Sequence, residues 1–389
     1  MQAIRNIIIG LAIILLTRGC SYPYTPEVEE IPEMVVISGR ISNPDGLQIV
    51  EVSKSSSYND PSYDPVSNCT VFISDDKNNR FSLWEASPGK YICWIDWMYL
   101  IYGTGFRVEV TTPDGKQYQS DYETLLPCPP IENIYYEVKK KETDNPDNPL
   151  YGIQFFLDTD ASGSEAKNFM WDLTETWEYH SKYRVGDYYD GTINFSPQTY
   201  DTLFYCWRTA RIYDIYTFTV SDLTSGRITR CPLNYVSGET DRLGVKYSLL
   251  VKQYAISRNA YNYWSAVQDQ SQNTGGMYET QPVSITGNIH CITNPGETVL
   301  GYFMVSSYTE KRIFVPRDFD FAIYTPPCMP YDLDAQSLNI FLSSYRPEDY
   351  PIFLLNLSGT RQGPWDYAEQ TCFDCTKLGG SVTKPDFWE

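Results

Sequence analysis

Ten cysteines, two histidines and an excess of carboxylates are the side chains through which this chain could do chemistry. A metalloprotease sets two histidines one helical turn apart with a glutamate between them, whereas His180 and His290 stand alone in the sequence. Each is expected on a strand rather than on a metal. Acyl, phosphoryl and hydride transfer have signatures of their own, a G-x-S-x-G elbow, a P-loop and a G-x-G-x-x-G turn, and none occurs here. Paired carboxylates can cleave a glycosidic bond, but nothing in their spacing selects a pair. The expectation is a protein that is not an enzyme, with no cofactor and no metal ion.

The cysteines point to covalent bracing. Cys372-Phe373-Asp374-Cys375 has zinc-ribbon spacing, yet such a site takes two pairs and no second C-x-x-C exists. A disulfide role is favoured, within the pair or out to another cysteine. Cys69 and Cys93 fall on strand-like runs and are a second candidate bridge, between the sheets of one domain. Asp75-Asp76 with Asn78-Asn79 offers oxygen ligands to calcium, though a polar hairpin turn accounts for the same residues. Aromatics are the other excess: Trp94, Trp97, Tyr99 and Tyr102 cluster in WIDWMYLIYGTG, and Tyr188-Tyr189 fall in an expected loop tip. Large rings give contact surface at small entropic cost, and they also fill cores. Trp94 is expected in a core. Trp97, Tyr99, Tyr102, Tyr188 and Tyr189 are candidate ligand contacts, the first three suiting a core equally well.

Strands must position these groups. From residue 32 to about 127, short runs such as MVVISGRI, CTVFIS, RFSLWE and GFRVEVT alternate with Pro-Asp-Gly and Pro-Gly turns. Seven such strands, with a turn every eight to twelve residues, suggest an immunoglobulin-like β-sandwich over 32–127. Leu126-Pro127-Cys128-Pro129-Pro130 cannot lie in a central strand and marks a boundary. A second, larger β-sandwich-type domain is expected over 128–389, its strands including 134–138, 151–157, 168–179, 213–220, 230–236, 246–254, 283–289, 299–306 and 311–315. One segment departs from the pattern: Ser257 suits an N-cap, and Ala260, Tyr263, Trp264 and Val267 share a helical face, so a helix is expected over about 257–272, ending before Gly275-Gly276. The last 70-odd residues read as an irregular, cysteine-containing wrap.

Charge and the amino terminus speak to location. A net charge of −19 leaves no electrostatic reason to bind a phosphate backbone, where Lys and Arg supply most of the affinity. Residues 1–19 carry Arg5, the apolar stretch Ile7–Leu16 and small Gly19 just before Cys20. Ten apolar residues rise only about 15 Å as a helix, half of a hydrocarbon core of roughly 30 Å, so a signal peptide is favoured over a span. A cysteine at that point resembles a lipoprotein cleavage site, with Leu16 one place too early, Thr17 in the usual aliphatic position and Arg18 an unusual neighbour; the alternatives are a secreted protein or an uncleaved anchor. Residues 20–31 suit a tether carrying lipid on Cys20.

Several blocks together, MVVISGRISNPDG, VEVTTPDGKQYQSDYETLLPCPPIENI, NYWSAVQDQSQNTGGMYETQPVSITGNIHC, LGYFMVSSYTEKRIFV and CFDCTKLGGSVTKPDFW, resemble the family called domain of unknown function 4249. The resemblance runs through nearly the whole mature chain. It implies an outer-membrane lipoprotein of Bacteroidota, often encoded beside a TonB-dependent transporter, and it transfers no catalytic residue. It also places Gly39, Trp264, Gly287, Asn288, Cys372, Cys375 and Trp388 in family motifs. For that phylum, Asp201-Thr202-Leu203 makes Thr202 an O-glycosylation candidate. The expected function is a surface-facing, non-catalytic binding or docking accessory of such a transporter, with a nutrient, metal complex, peptide or glycan as cargo. The alternatives are a structural or adhesive surface protein and, second, a polysaccharide-acting enzyme.

Overall fold

The computed structural model describes residues 33–44, 46–56, 62–143, 149–195, 200–272, 285–356, 360 and 363–389. The signal peptide, Cys20 and the tether lie outside the described residues, as does the expected helix end at Gly275-Gly276.

The chain is mostly β. The first nine strands are β1 (Val35–Asn43), β2 (Leu47–Lys54), β3 (Asp64–Pro65), β4 (Thr70–Asp75), β5 (Arg80–Ser87), β6 (Lys90–Trp94), β7 (Gly105–Thr111), β8 (Gln117–Ser120) and β9 (Glu123–Thr124). Alternation sends one face of each inward: Val50 and Val52 on β2, Tyr91 and Cys93 on β6, and Phe106, Val108 and Val110 on β7 are all buried in one core. The strands run β1-β2-β6-β5-β4-β7-β8 in a single ladder, so a ladder whose two ends share one core must fold over it as a sandwich.

The second half contributes β10 (Ile131–Lys141), β11 (Leu150–Asp160), β12 (Asn168–His180), β13 (Asp187–Tyr189), β14 (Ile193–Phe195), β15 (Tyr205–Thr219), β16 (Arg227–Ser237), β17 (Lys246–Ile256), β18 (Ile289–Cys291), β19 (Phe303–Pro316) and β20 (Ile352–Leu354). A three-stranded sheet, β10-β11-β16, packs on the β15-β12-β17-β19 portion of the long ladder. Ile153, Phe155 and Leu157 of β11 meet Phe169, Trp171 and Leu173 of β12 and Tyr247, Leu249 and Val251 of β17 in this second core. These residues of β11, β12 and β17 keep the period of two, while β10, β15 and β16 carry the register shifts. Residues of the opposite face, Met170, Tyr254 and Met304, form a smaller cluster with the helix Arg258–Gln272.

That helix starts as its sequence dictates. Ser257 Oγ accepts from Ala260 N at 3.0 Å, and Ala260, Tyr263 and Trp264 pack toward Tyr302 and Met304. Gln268 fastens it to β15 by accepting from Thr217 N at 3.0 Å and from Thr217 Oγ1 at 2.7 Å.

Five features differ from the sequence reading. Residues 32–127 do not close the first core alone: Ile289, Cys291, Val299, Phe303 and Val305 complete it. The two halves are joined by a parallel pairing of β1 with β19, Gly39 opposite Phe303, which lets one ladder run through both. Gly301 permits this approach, since at φ +94° a Cβ there would stand 2.1 Å from Ile37 O. β19 is also one strand, not two, because Ser307–Pro316 stays paired to β17 through the polar Tyr308-Thr309-Glu310. Tyr188 and Tyr189 are not at a loop tip: their strand β13 lies between β14 and β20. Lastly, the C-terminal wrap contains a helix, Ala335–Ser343, capped by Asp334 Oδ1 accepting from Ser337 N at 2.7 Å.

Candidate functional site

The outward face of the first sheet carries a run of exposed rings. On β6, Tyr91 and Cys93 take the core positions, so Ile92 and Trp94 point out; Trp94 is 66% exposed rather than in the core as expected. Register then assembles the neighbours: Leu47 of β2 lies opposite Trp94, while Ile49 of β2 and Trp84 of β5 lie opposite Ile92. The loop after β6 extends this face. Ile95 and Leu100 are buried, and between and beyond these anchors Trp97, Met98, Ile101 and Tyr102 are thrown outward, Trp97 to 79% exposure. Hydrogen bonds hold the loop in place: Ile95 N to Gly46 O at 2.8 Å, Tyr99 N to Asp96 O at 2.9 Å, Asn43 Nδ2 to Leu100 O at 3.2 Å and Gly103 N to Leu125 O at 2.8 Å. Tyr99 turns the other way, packing on the first core with its ring 5.1 Å from Phe81. Trp97 and Tyr102 thus belong to the exposed face, and Tyr99 supports it.

Beside Leu47 and Ile49 the face runs into a groove of ≈ 360 Å³ spanning both halves of the ladder. Its walls include Met170, Met304, Trp264 and Tyr302. Arg40 Nη1 and Arg211 Nη2 clamp the two oxygens of Asp172 at 3.0 and 3.4 Å, and the Arg40 guanidinium lies 4.3 Å over the Tyr254 ring. The Trp264 indole N–H is buried without a partner among the described residues. Leu47, Trp84, Arg40 and Arg211 were not singled out from sequence. Both faces of β5 and β6 are apolar in part, so alternation alone cannot tell which ring faces water.

The other candidates fall elsewhere. Tyr188 stacks edge-on against Tyr200 and Tyr189 against Tyr350, contacts that pack β13 into the C-terminal layer. Thr202 is exposed on the 3-10 turn Asp201–Phe204. Asp75 closes the β4–β5 hairpin, its Oδ1 accepting from Lys77 N at 2.9 Å and Asn79 N at 2.7 Å. His180 Nε2 contacts Glu178 Oε1 at 2.8 Å and His290 Nε2 contacts Asp121 Oδ1 at 3.3 Å, on separate strands. Among the described residues no group of three His, Cys, Asp or Glu side chains is arranged to hold a metal ion.

Both cysteines of the C-x-x-C bond outward, Cys375 to Cys206 and Cys372 to Cys328. Cys69 and Cys93 do not bridge. The Cys69 thiol donates to Val66 O at 3.5 Å, while Cys93 lies in the core of β6, where burial pushes its thiol up to about 12.

Residues 21–312 match the model of the family described as Domain of unknown function (DUF4249). The chain belongs to that family. No curated protein matches it. Similar solved structures include trypsin-activated alpha-2-macroglobulin from Escherichia coli, 11% identical over 58% of this chain and 15% of that one, with a TM-score of 0.19. A DUF4785 family protein from Legionella pneumophila is 10% identical over 56% of this chain and 51% of that one, with a TM-score of 0.17. This chain thus spans 15% and 51% of those two chains, and at these scores neither bears on its function.

Proposed function

We propose that this protein is a lipoprotein anchored through Cys20 in the outer membrane, facing the cell exterior, where it serves a TonB-dependent transporter as a non-catalytic docking accessory. The observation that carries the reading is the outward face of Leu47, Trp84, Trp94, Trp97, Met98, Ile101 and Tyr102. Exposed apolar surface of this kind favours burial against a partner at roughly 25 cal/mol per Å². Indole and phenol rings held on a fixed backbone lose little entropy on contact, which is why they anchor interfaces. The loop anchors Ile95 and Leu100 supply that rigidity. What the family resemblance in the sequence implies, together with the lipobox-like start, supports the membrane and transporter parts of the reading. The lipid would confine both partners to one surface, so effective concentration does work that contact area alone need not do.

The test is a detergent pull-down of tagged protein from its native outer membrane, with co-purifying proteins quantified by mass spectrometry. The wild type should bring down a TonB-dependent transporter in near-stoichiometric amount, and Trp94→Ser with Trp97→Ser should lose it. A wild-type protein that emerges alone, or a double variant that retains the transporter, refutes the reading.

A further inference from the structure

A second cavity lies at the far end of β12, remote in register from the aromatic face, and it stands independently of the docking reading. It measures ≈ 280 Å³, about nine water volumes. We propose that it binds a small carboxylate-bearing molecule with an apolar body.

The apolar part of the lining is built by segments far apart in sequence, with Phe204, Val245, Pro326 and Pro327 among them. The wall at Pro326-Pro327 is fixed from both ends. Tyr324 N donates to Gly238 O at 2.7 Å, and Cys328 is bonded to Cys372, whose carbonyl accepts from Tyr183 N at 2.9 Å. A wall tied in this way is preformed, so a ligand meets little ordering cost.

The polar part is cationic within a chain of net charge −19. Lys182 and Arg317 line the cavity, and among the described residues neither side chain has an ion-pair or hydrogen-bond partner. Among the described residues, Asp241 is the one carboxylate in the lining. The nearby Glu178 is already engaged, by His180 at 2.8 Å and by Trp388 Nε1 at 3.0 Å. His180 is held against the Phe204 ring, 5.0 Å between centroids, so its imidazole forms part of the wall. Two unpaired cations and one carboxylate in the same lining leave a surplus positive charge beside apolar rings. That pairing of groups is complementary to an organic acid: Arg offers a fork to a carboxylate, Lys a point charge, and the rings and prolines take the hydrocarbon.

Isothermal titration calorimetry on the whole mature chain tests this with three probes of one size: phenylacetate, 2-phenylethanol and 2-phenylethylamine. Phenylacetate should give saturable heat at one site, with the amine and the alcohol at least about tenfold weaker, the equivalent of one charge-assisted hydrogen bond. Lys182→Gln and Arg317→Gln, both at exposed positions, should each weaken phenylacetate and together abolish measurable binding, with the unfolding midpoint unchanged. No saturable heat with phenylacetate overturns the proposal. So does equal binding of the amine, or a double variant with unchanged affinity. None of these outcomes depends on whether a transporter is captured by the aromatic face.

Discussion

Asn288 offers the sharpest test of how the two halves are joined. β19 has β1 on one side at Phe303, but its other neighbour, β17, begins only at Ser307. On the open side Asn288 stands in for a strand: its Nδ2 donates to Phe303 O at 2.9 Å and its Oδ1 accepts from Phe303 N at 2.9 Å, both bonds buried. Asn288→Ala would strand one buried donor and one buried acceptor. Each orphaned backbone group costs about 1–3 kcal/mol, so a loss of roughly 2–6 kcal/mol is expected, a large share of a typical domain's stability of about 5–15 kcal/mol. Asn288→Asp should be no better, because a carboxylate oxygen would replace the donor that faces Phe303 O. The assay is urea unfolding of the purified mature chain followed by tryptophan fluorescence, comparing midpoints at constant slope. A loss under about 1 kcal/mol for Asn288→Ala would refute the argument, since it would mean that water reaches Phe303 or that the ladder closes without the side chain.

Four further outcomes are expected. Non-reducing peptide mapping should recover Cys206 linked to Cys375 and Cys328 linked to Cys372, with Cys69 and Cys93 as thiols; a peptide bridged between Cys372 and Cys375 would contradict the fold of the tail. Replacing Cys206 and Cys375 together by serine should cost about 2–4 kcal/mol, because that bridge closes a span of 169 residues in the unfolded chain; an unchanged urea midpoint would remove its stabilising role. Glu123 is buried beside the Tyr302 hydroxyl, and burial holds its carboxyl above the usual carboxylate range. An acid raised in this way favours folding when protonated, so its contribution is present at low pH and is lost as pH rises through the folded value. Glu123→Gln should therefore raise the unfolding midpoint near pH 7 and leave it nearly unchanged near pH 4, and an equal shift at both would refute the sign. Finally, Cys20→Ala should release the protein from the membrane fraction, and a variant that stays anchored would sink the lipid-attachment reading.

Legibility from sequence followed the range of the interactions. Gly105–Thr111 and Gln117–Ser120 were readable to the residue as strands, because period-two burial and a Pro-Asp-Gly turn are local signals. The long helix was readable for the same reason, its Ser257 cap lying three residues from the N–H it satisfies. The Trp94 error came from a strand whose two faces are both apolar, where alternation has no sign. The helix Ala335–Ser343 was hidden by surrounding proline and tyrosine, and its cap, Asp334, carries no long periodic face behind it. The Cys69–Cys93 bridge failed because a strand assignment gives no distance between strands.

Local sequence signals were enough to show that this chain is mostly β, where most strands and the long helix begin, that Pro127–Pro130 separates two stretches of strand, and which family it belongs to. Tertiary structure alone decided that residues 289–305 return to complete the first core, that β1 and β19 run parallel, that the C-x-x-C cysteines part to different partners, and that Trp94 and Trp97 face outward. The division has one physical cause. Turns, caps and burial period are written within a few residues, whereas the partner of a strand edge, a thiol or an indole is chosen by packing among segments tens to hundreds of residues apart.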